Sequence, residues 1–272
     1  MIYYFRLYFD CPVQFKCSGG TLMAFIEIHF FSNTLGRGVS VNALIPETDK
    51  PYKTLYLLHG LSDDHTAWQR YSRIESYALA AGIAVVMPNV DRSFYTDMAS
   101  GDNYFTYVAN ELPAAMRAMF RGMSDKKEDN FVAGLSMGGY GAFKLALTYP
   151  DRFSAACSLS GALDIPFMIE KYPIGDKERF FSLIYGDLSA VRGSDNDLLS
   201  LLEKRVKEGA SLPRLYMTCG LQDVILPCSR AFYEKAQELD VQVEYTEAEG
   251  NHNWVFWDKH IVSFTEKIRN GI

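Results

Sequence analysis

The chain has 272 residues, of which 48% are hydrophobic and 22% charged, ordinary values for a globular protein with a sizeable core. Its 27 Lys and Arg against 33 Asp and Glu give a net charge of −6, so no basic footprint marks a nucleic-acid or anionic-membrane binder. No window approaches the roughly 18 consecutive apolar residues of a membrane-spanning helix. We therefore expect neither nucleic acid nor a membrane as a partner.

The first 22 residues lack the pattern of a targeting segment. They are aromatic, contain Asp10 and two cysteines, and have no charged start, apolar centre or small-residue cleavage site. We expect the natural chain to start at Met23, with residues 1–22 as an extension and residues 23–272 as one domain. The intact mass of the protein from its native host tests this, because a mass that includes residues 1–22 would contradict it.

Cysteine usage points to a reducing compartment. The chain has five cysteines and no Cys-x-x-Cys pair, so we expect no disulfide framework and a cytoplasmic location. Cys157 and Cys219 lie inside apolar runs and are predicted to be buried, inert thiols. No His or Cys cluster has the spacing of metal ligands, so we expect no metal site.

Short apolar runs alternate with helical patterns along the chain. Residues 24–31 and 40–45 are predicted as a hairpin that turns at Gly36 and Gly38. Six more strands are predicted at 54–58, 83–87, 131–133, 153–159, 214–218 and 241–245, and helices at 74–81, 104–120, 140–148, 228–239 and 254–268. This alternation predicts an α/β fold, with a mostly parallel eight-stranded sheet, helices on both faces and an antiparallel edge.

Residues 162–212 interrupt this alternation. They are charged and mixed in composition and contain no clear strand pattern. One interpretation is a lid or specificity insertion over an active site, and the other is a set of extra surface helices. The sequence leaves both open.

The pattern Gly-x-Ser-x-Gly occurs at residues 134–138, with Ser136 at its centre. An apolar strand precedes it and a helix rich in small residues follows, which is the context that a nucleophile elbow requires. The sharp strand-to-helix turn exposes the serine hydroxyl, and glycine avoids clashes at the flanking positions. Ser136 is therefore the candidate nucleophile.

A serine nucleophile needs a base, for which the chain offers five histidines. In the fold that carries this elbow, the order along the chain is Ser, then Asp or Glu, then His. Only His252 and His260 follow Ser136, and only His252 lies in a loop. His252 is therefore the candidate base, while His260 is expected on a solvated helix face. His29, His59 and His65 precede the nucleophile.

The acid must lie between the nucleophile and the base. Asp223 follows the predicted strand 214–218, at the carboxyl end where open α/β sheets place their sites. The alternative for Asp223 is a helix cap or a turn residue. Its rivals are acids of the insertion without a preceding strand: Asp187, Asp195 and Asp197.

Acyl transfer also needs donors for the developing oxyanion. The backbone N–H of Met137, the residue after the nucleophile, is one candidate. The second is the N–H of Leu61, in the loop after strand 54–58, where Gly60 lets the backbone turn its amides inward. The alternative for His59-Gly60 is a simple turn that ends the strand.

These motifs together resemble the esterase D family of α/β-hydrolases, which includes S-formylglutathione hydrolases and bacterial tributyrin esterases. The likeness to the tributyrin esterases is the strongest, and it covers the chain from about Met23 to its end. The segments that carry it are Leu57–Ser62, Val86–Asn89, Tyr95–Asp97, Glu111–Pro113, Ala133–Ala142 and Phe153–Asp164.

The resemblance implies an α/β-hydrolase fold and a triad of Ser136, Asp223 and His252, with oxyanion donors at Leu61 and Met137. It also implies activity on short-chain acyl esters, no cofactor, and assembly as a homo-oligomer. Two departures weaken the thioesterase alternative: Ser62-Asp63 replaces the Thr-Cys pair usual in S-formylglutathione hydrolases, and Gly-Leu-Ser replaces Gly-His-Ser.

Substrate contacts are harder to assign from the sequence. Trp68, Tyr95 and Tyr104 are candidates to line a pocket for the acyl or alcohol group, with aromatic core packing as the alternative. Asp63 and Asp64 are either exposed loop charges or, if they flank the pocket mouth, groups that disfavour anionic alcohols.

Three functions follow from the sequence. The first is a serine carboxylesterase that hydrolyses short-chain acyl esters through an acyl-enzyme, with acetylated sugars among its substrates. The second is an S-formylglutathione thioesterase, and the third is a non-catalytic, acyl-binding member of the fold. An intact nucleophile, acid and base argue against the third.

Overall fold

The computed structural model describes residues 22–171 and 175–272. The predicted extension, apart from Leu22, lies outside the described residues. Leu22 itself stands beside the sheet, where its carbonyl accepts a hydrogen bond from Glu47 N at 2.8 Å.

An eight-stranded sheet forms the centre of the fold, which confirms the predicted strand number. Its order is β1-β2-β4-β3-β5-β6-β7-β8. The strands are β1 (Met23–Ser32), β2 (Arg37–Pro46), β3 (Thr54–Leu58), β4 (Ala84–Pro88), β5 (Asn130–Leu135), β6 (Ala155–Leu159), β7 (Arg214–Gly220) and β8 (Val243–Ala248).

Strand direction follows the prediction as well. β2 is antiparallel to both β1 and β4, and all other neighbours are parallel. Every residue of β3, β4, β5 and β6 is buried. These central strands are short, continuous apolar runs because helices cover both of their faces.

The helices are α1 (Ala67–Tyr71), α2 (Ile74–Ala81), α3 (Tyr104–Thr106), α4 (Leu112–Met119), α5 (Met137–Thr148), α6 (Ile165–Lys171), α7 (Lys177–Tyr185), α8 (Leu198–Lys207), α9 (Leu226–Glu238) and α10 (Trp254–Asn270). α2 and α10 pack their apolar sides on one face of the sheet. α4, α5, α8 and α9 pack on the other.

The predicted helix at 104–120 is not one regular α-helix. A π-helical turn at Tyr107–Glu111 separates α3 from α4. Pro113 has no N–H to donate to the carbonyl four residues earlier, that of Ala109. That carbonyl instead accepts a hydrogen bond from Arg152 Nη1 at 2.9 Å, so the irregular turn has an identifiable cause.

The insertion at 162–212 contributes α6, α7 and α8, and no strand among its described residues. Phe181, Leu198 and Leu201 are buried in the same core as α5. The hydroxyl of Tyr140 on α5 also donates to the carbonyl of Asn196 at 3.0 Å. The insertion is thus packed on α5, which favours the extra-helix interpretation over a lid.

The cysteines within the described ranges are free and buried: Cys157, Cys219 and Cys228. Burial raises the thiol pKa of Cys219 and of Cys228 to about 12, so neither is a reactive thiolate near neutral pH. Within residues 22–171 and 175–272, the structure contains no helix long and apolar enough to span a bilayer.

Candidate active site

Ser136 occupies a sharp turn between β5 and α5. Its φ of 52° and ψ of −116° are strained for a residue with a side chain. The turn is held in place because Ser136 N donates to the carbonyl of Leu159 at 2.9 Å and Ala162 N donates to the carbonyl of Ser136 at 3.1 Å. The end of β6 therefore supports the elbow.

The two glycines of the motif are required by close backbone contacts. A Cβ on Gly134 would stand 2.3 Å from the backbone of Gly138. A Cβ on Gly138 would stand 2.3 Å from the carbonyl oxygen of Leu58, at the end of β3. Any side chain at either position would push α5 away from the sheet and displace Ser136.

A continuous row of hydrogen bonds joins the three predicted site residues. Ser136 Oγ lies 2.9 Å from His252 Nε2, and His252 Nδ1 lies 2.9 Å from Asp223 Oδ2 and 3.0 Å from Oδ1. If Nδ1–H donates to the carboxylate, Nε2 is free to accept the serine proton. The structure thus brings together all three side chains in the relative positions expected of a nucleophile, a base and an acid.

Asp223 is held in its ionised form although its side chain is fully buried. Burial alone would raise its pKa, but hydrogen bonds from His252 and from Ile225 N, at 3.0 Å, outweigh burial and hold the pKa below its ordinary value. A buried carboxylate that keeps its charge can stabilise a positively charged imidazolium beside it.

The loops that carry Asp223 and His252 are tied to each other. Leu221 N donates to the carbonyl of Ala248 at 2.8 Å, and Gln222 N donates to that of Gly250 at 3.0 Å. The side-chain carbonyl of Gln222 accepts a hydrogen bond from Gly250 N at 2.9 Å. The separation of acid and base is therefore fixed by backbone as well as by their own side chains.

His59 orders the loop that follows β3. It is buried, with Nδ1 2.8 Å from the carbonyl of Gly60 and Nε2 accepting from Val90 N at 3.1 Å. Burial lowers the pKa of His59 to about 4, so the ring is neutral and holds this loop in one conformation. Neither Leu61 N nor Met137 N donates to another described residue, which leaves both amides for an oxyanion.

A cavity of about 300 Å³ opens at Ser136 and His252, lined also by Leu61, Asp63 and Trp257. The edge of the Trp257 ring meets His252 with ring centroids 4.9 Å apart. A larger cavity of about 670 Å³ lies at the opposite ends of β7 and β8, far from these groups. Because Ser136 and His252 line the smaller cavity, it is the candidate substrate-binding cavity.

The predicted pocket aromatics lie elsewhere, and this corrects their expected placement. Trp68 is buried and donates from Nε1 to the carbonyl of Leu58 at 3.0 Å. Tyr95 is buried, and its hydroxyl donates to the carbonyl of His59 at 3.0 Å. The Tyr104 hydroxyl bonds Asp91 and Arg37. All three side chains form hydrogen bonds to loops and strand ends and do not line the cavity at Ser136. The structure therefore favours a packing role for them.

The rival acids have other partners. Asp187 accepts a hydrogen bond from Ser189 N at 2.9 Å, and Asp195 binds Lys204 at 2.9 Å. Asp197 caps α8 by accepting from Leu199 N. None reaches His252.

Three residues near the site escaped the sequence analysis or received no role there: Gln222, Trp257 and the neutral His59. Gln222 and Trp257 sit close to the motif residues Asp223 and His252, but neither belongs to a motif of its own. The strand-ending position of His59, directly before Gly60, is the one signal that could have indicated its function.

Comparison with known proteins gives consistent matches. The family described as "Putative esterase" matches residues 32–267. An "Acetyl esterase" of Caldicellulosiruptor saccharolyticus is 34% identical over 90% of this chain and 97% of that protein.

Two solved structures from Staphylococcus aureus are also similar. FphF, described as a fluorophosphonate-binding serine hydrolase, has a TM-score of 0.86 at 35% identity over 91% of this chain and 99% of its own. FrmB, described as an S-formylglutathione hydrolase, has a TM-score of 0.84 at 35% identity over 92% of this chain and 100% of its own.

Proposed function

Because the chain belongs to this esterase family and is a serine carboxylesterase, we propose that Ser136, His252 and Asp223 are its catalytic residues. Short-chain acyl esters are the proposed substrates, with acetylated sugars among them. The observation that carries the proposal is the row of hydrogen bonds from Ser136 Oγ through His252 to Asp223, at 2.9 Å each.

Acylation begins when Ser136 Oγ attacks the ester carbonyl carbon and His252 Nε2 takes the hydroxyl proton. The carbonyl oxygen becomes an oxyanion, to which the N–H groups of Leu61 and Met137 donate. The carboxylate of Asp223 stabilises the imidazolium that has formed. When the tetrahedral intermediate collapses, the bond to the alcohol oxygen breaks and His252 returns its proton to that oxygen.

Deacylation repeats these steps with water. His252 takes a proton from water as its oxygen attacks the acyl carbon, and the oxyanion forms again at the same two amides. The bond to Ser136 Oγ then breaks, His252 reprotonates the serine, and the carboxylic acid leaves. No group beyond these residues and water enters the scheme.

The substitution Ser136→Ala tests the nucleophile. We expect kcat for p-nitrophenyl acetate to fall by about 10⁴-fold or more, because the remaining amides stabilise the oxyanion without an attacking oxygen. Circular dichroism and the melting temperature should show that the fold survives. Turnover at the wild-type rate would refute the assignment.

The thioesterase is a second candidate, favoured by the 35% identity to FrmB. The same triad can attack a thioester, so the leaving group decides between the two functions. We expect kcat/KM to be higher for a short-chain oxygen ester than for S-formylglutathione. The reverse order would make the thioesterase the primary activity.

Further proposals concern the whole chain. We propose that residues 23–272 form a single domain, so that a chain starting at Met23 keeps its melting temperature and turnover.

We also propose a cytoplasmic location, which the cysteine pattern supports, and a homo-oligomer. A monomeric mass in light scattering would exclude the oligomer, and export of the native protein would exclude the location.

A further inference from the structure

The carboxylate of Asp63 lies in the cavity beside the nucleophile. A Cβ placed on Gly60 would stand 3.0 Å from Asp63 Oδ2 and 3.8 Å from Ser136 Cβ. Asp63 and Ser136 therefore both lie next to Gly60, in the loop that carries Leu61. Both also line the cavity of about 300 Å³. The catalytic steps above do not use Asp63.

Asp63 differs from the neighbouring acid in its surroundings. Asp64 Oδ1 accepts from Thr66 N at 2.8 Å and lies 3.7 Å from Arg70 Nη2. Asp63 has no ion-pair partner within the described ranges, and burial raises its pKa. Hydrogen bonding from the Gly60 backbone and the Trp254 side chain lowers this pKa, but by less than burial raises it. A carboxylate has about four acceptor sites, so a half-buried Asp63 that faces the cavity can still accept hydrogen bonds from a ligand.

An aromatic wall stands on the His252 side of the cavity, formed by Trp254 and Trp257. The Trp254 and Trp257 centroids are 5.5 Å apart, and the half-exposed Tyr71 continues the row 5.3 Å from Trp254. The row runs from the surface to the ring of His252. Because His252 protonates the departing alcohol, that alcohol lies against this wall.

We propose that Asp63 and Trp254 form the subsite for the leaving alcohol, and that they select a polyhydroxy alcohol such as a sugar. Its hydroxyl groups donate to the Asp63 carboxylate, while its C–H face packs on the aromatic wall. The inference rests on the proposed function, since it requires an ester whose alcohol leaves beside His252. It makes Asp63 a specificity-determining residue.

A cationic alcohol is the competing ligand for a carboxylate beside indoles. Recognition of a quaternary ammonium uses several aromatic faces turned toward one point. Here Trp254 meets Trp68 at an interplanar angle of 87° and Trp257 at 84°, so these rings pack on one another. Rings that pack edge to face on one another do not enclose a single point, so this side of the cavity suits the C–H face of a sugar better than a quaternary ammonium.

The test compares 6-O-acetylglucose, ethyl acetate and acetylcholine as substrates of the wild type, Asp63→Ala, Asp63→Asn and the matched control Asp64→Asn. We expect Asp63→Ala to lower the ratio of kcat/KM for the sugar ester to that for ethyl acetate by about tenfold or more, mainly through KM. Asp63→Asn, which keeps one acceptor oxygen, should lose less. Asp64→Asn should retain the wild-type ratio.

Two outcomes would overturn the subsite: a ratio in Asp63→Ala within about threefold of the wild type, or a larger loss on acetylcholine than on the sugar ester. In either case, turnover of ethyl acetate by the wild type would leave the proposed esterase function intact. A wild type without turnover of any ester would overturn both proposals, so the two failures are distinguishable.

Discussion

At the scale of single residues, the site depends on a buried acid whose charge is preserved. Asp223 is enclosed, yet the N–H groups of His252 and Ile225 compensate for the lost water and keep its pKa low. This arrangement fixes which ring nitrogen of His252 carries the proton. In the proposed mechanism, Asp223 therefore sets the tautomer and stabilises the imidazolium, rather than accepting a proton.

Asp223→Asn tests this role, because the amide keeps the size of the carboxylate and loses its charge. An amide N–H facing Nδ1 favours the wrong tautomer, so we expect kcat for p-nitrophenyl acetate to fall by about 10³ to 10⁴-fold with little change in KM. The matched control is Asp187→Asn in the insertion. If Asp223→Asn kept more than about a tenth of the wild-type kcat, the assignment of the acid would be wrong.

The three proposed triad residues could be selected from the sequence because each has a local signal. Ser136 lies in a five-residue motif, His252 is the loop histidine that follows it, and Asp223 follows a predicted strand between the two. Asp63 and Trp257 have no comparable signal. Their place in the cavity depends on how the loops after β3 and β8 approach each other, which no spacing along the chain encodes.

At the level of secondary-structure elements, the first turn of α5 meets the end of β3 through a glycine, with no side chain between the two backbones. Gly138 brings the first turn of the helix onto the carbonyls of Leu58 and His59, at 2.3 Å and 2.7 Å from a notional Cβ. The same contact places the elbow next to the loop of Leu61. The packing of α5 therefore affects the position of the proposed oxyanion donors.

Gly138→Ala should consequently damage both stability and activity. We expect the free energy of unfolding to fall by about 2 kcal/mol or more, because rigid backbone atoms have to move to admit the methyl group. The control is Gly38→Ala in β2, where no atom lies within 4 Å of the added Cβ and a change within about 0.5 kcal/mol is expected. Equal denaturation midpoints for the two variants would contradict this account.

Element prediction succeeded where the apolar pattern is regular. The central strands are continuous apolar runs, so their number and most of their positions were predicted. For the insertion, extra helices were one of two open interpretations, but their positions were not predicted, because buried residues such as Phe181 and Leu198 are separated by charged stretches. The π-helical turn before α4 was also missed, since its cause includes a distant contact from Arg152 to the Ala109 carbonyl.

At the level of the whole molecule, Lys144 links α5 to the loop that carries Thr96 and to the insertion. This buried side chain on α5 donates to Thr96 Oγ1 at 2.9 Å and to Asn196 Oδ1 at 2.7 Å in the insertion. Burial lowers its pKa to about 7. The folded state therefore releases this proton well below the pH at which the unfolded chain does.

This difference predicts how stability depends on pH. Between about pH 7 and 10 the unfolded state holds one proton more, so the Lys144 contribution to the free energy of unfolding rises with pH. In urea titrations from pH 7.5 to 9, the free energy of unfolding of the wild type should rise by about 1 kcal/mol per pH unit relative to that of Lys144→Met. The exposed Lys126→Met is the control. A constant difference between wild type and Lys144→Met over this range would contradict the prediction.

The proposed chemistry depends on Ser136 as a nucleophile activated by His252 and Asp223. Its most direct test is mass spectrometry of the whole chain after exposure to a fluorophosphonate, followed by peptide mapping. We expect one adduct per chain, located on Ser136, together with complete loss of p-nitrophenyl acetate turnover and no adduct in Ser136→Ala. An unlabelled wild type, or an adduct on another residue that abolishes turnover, would contradict the account.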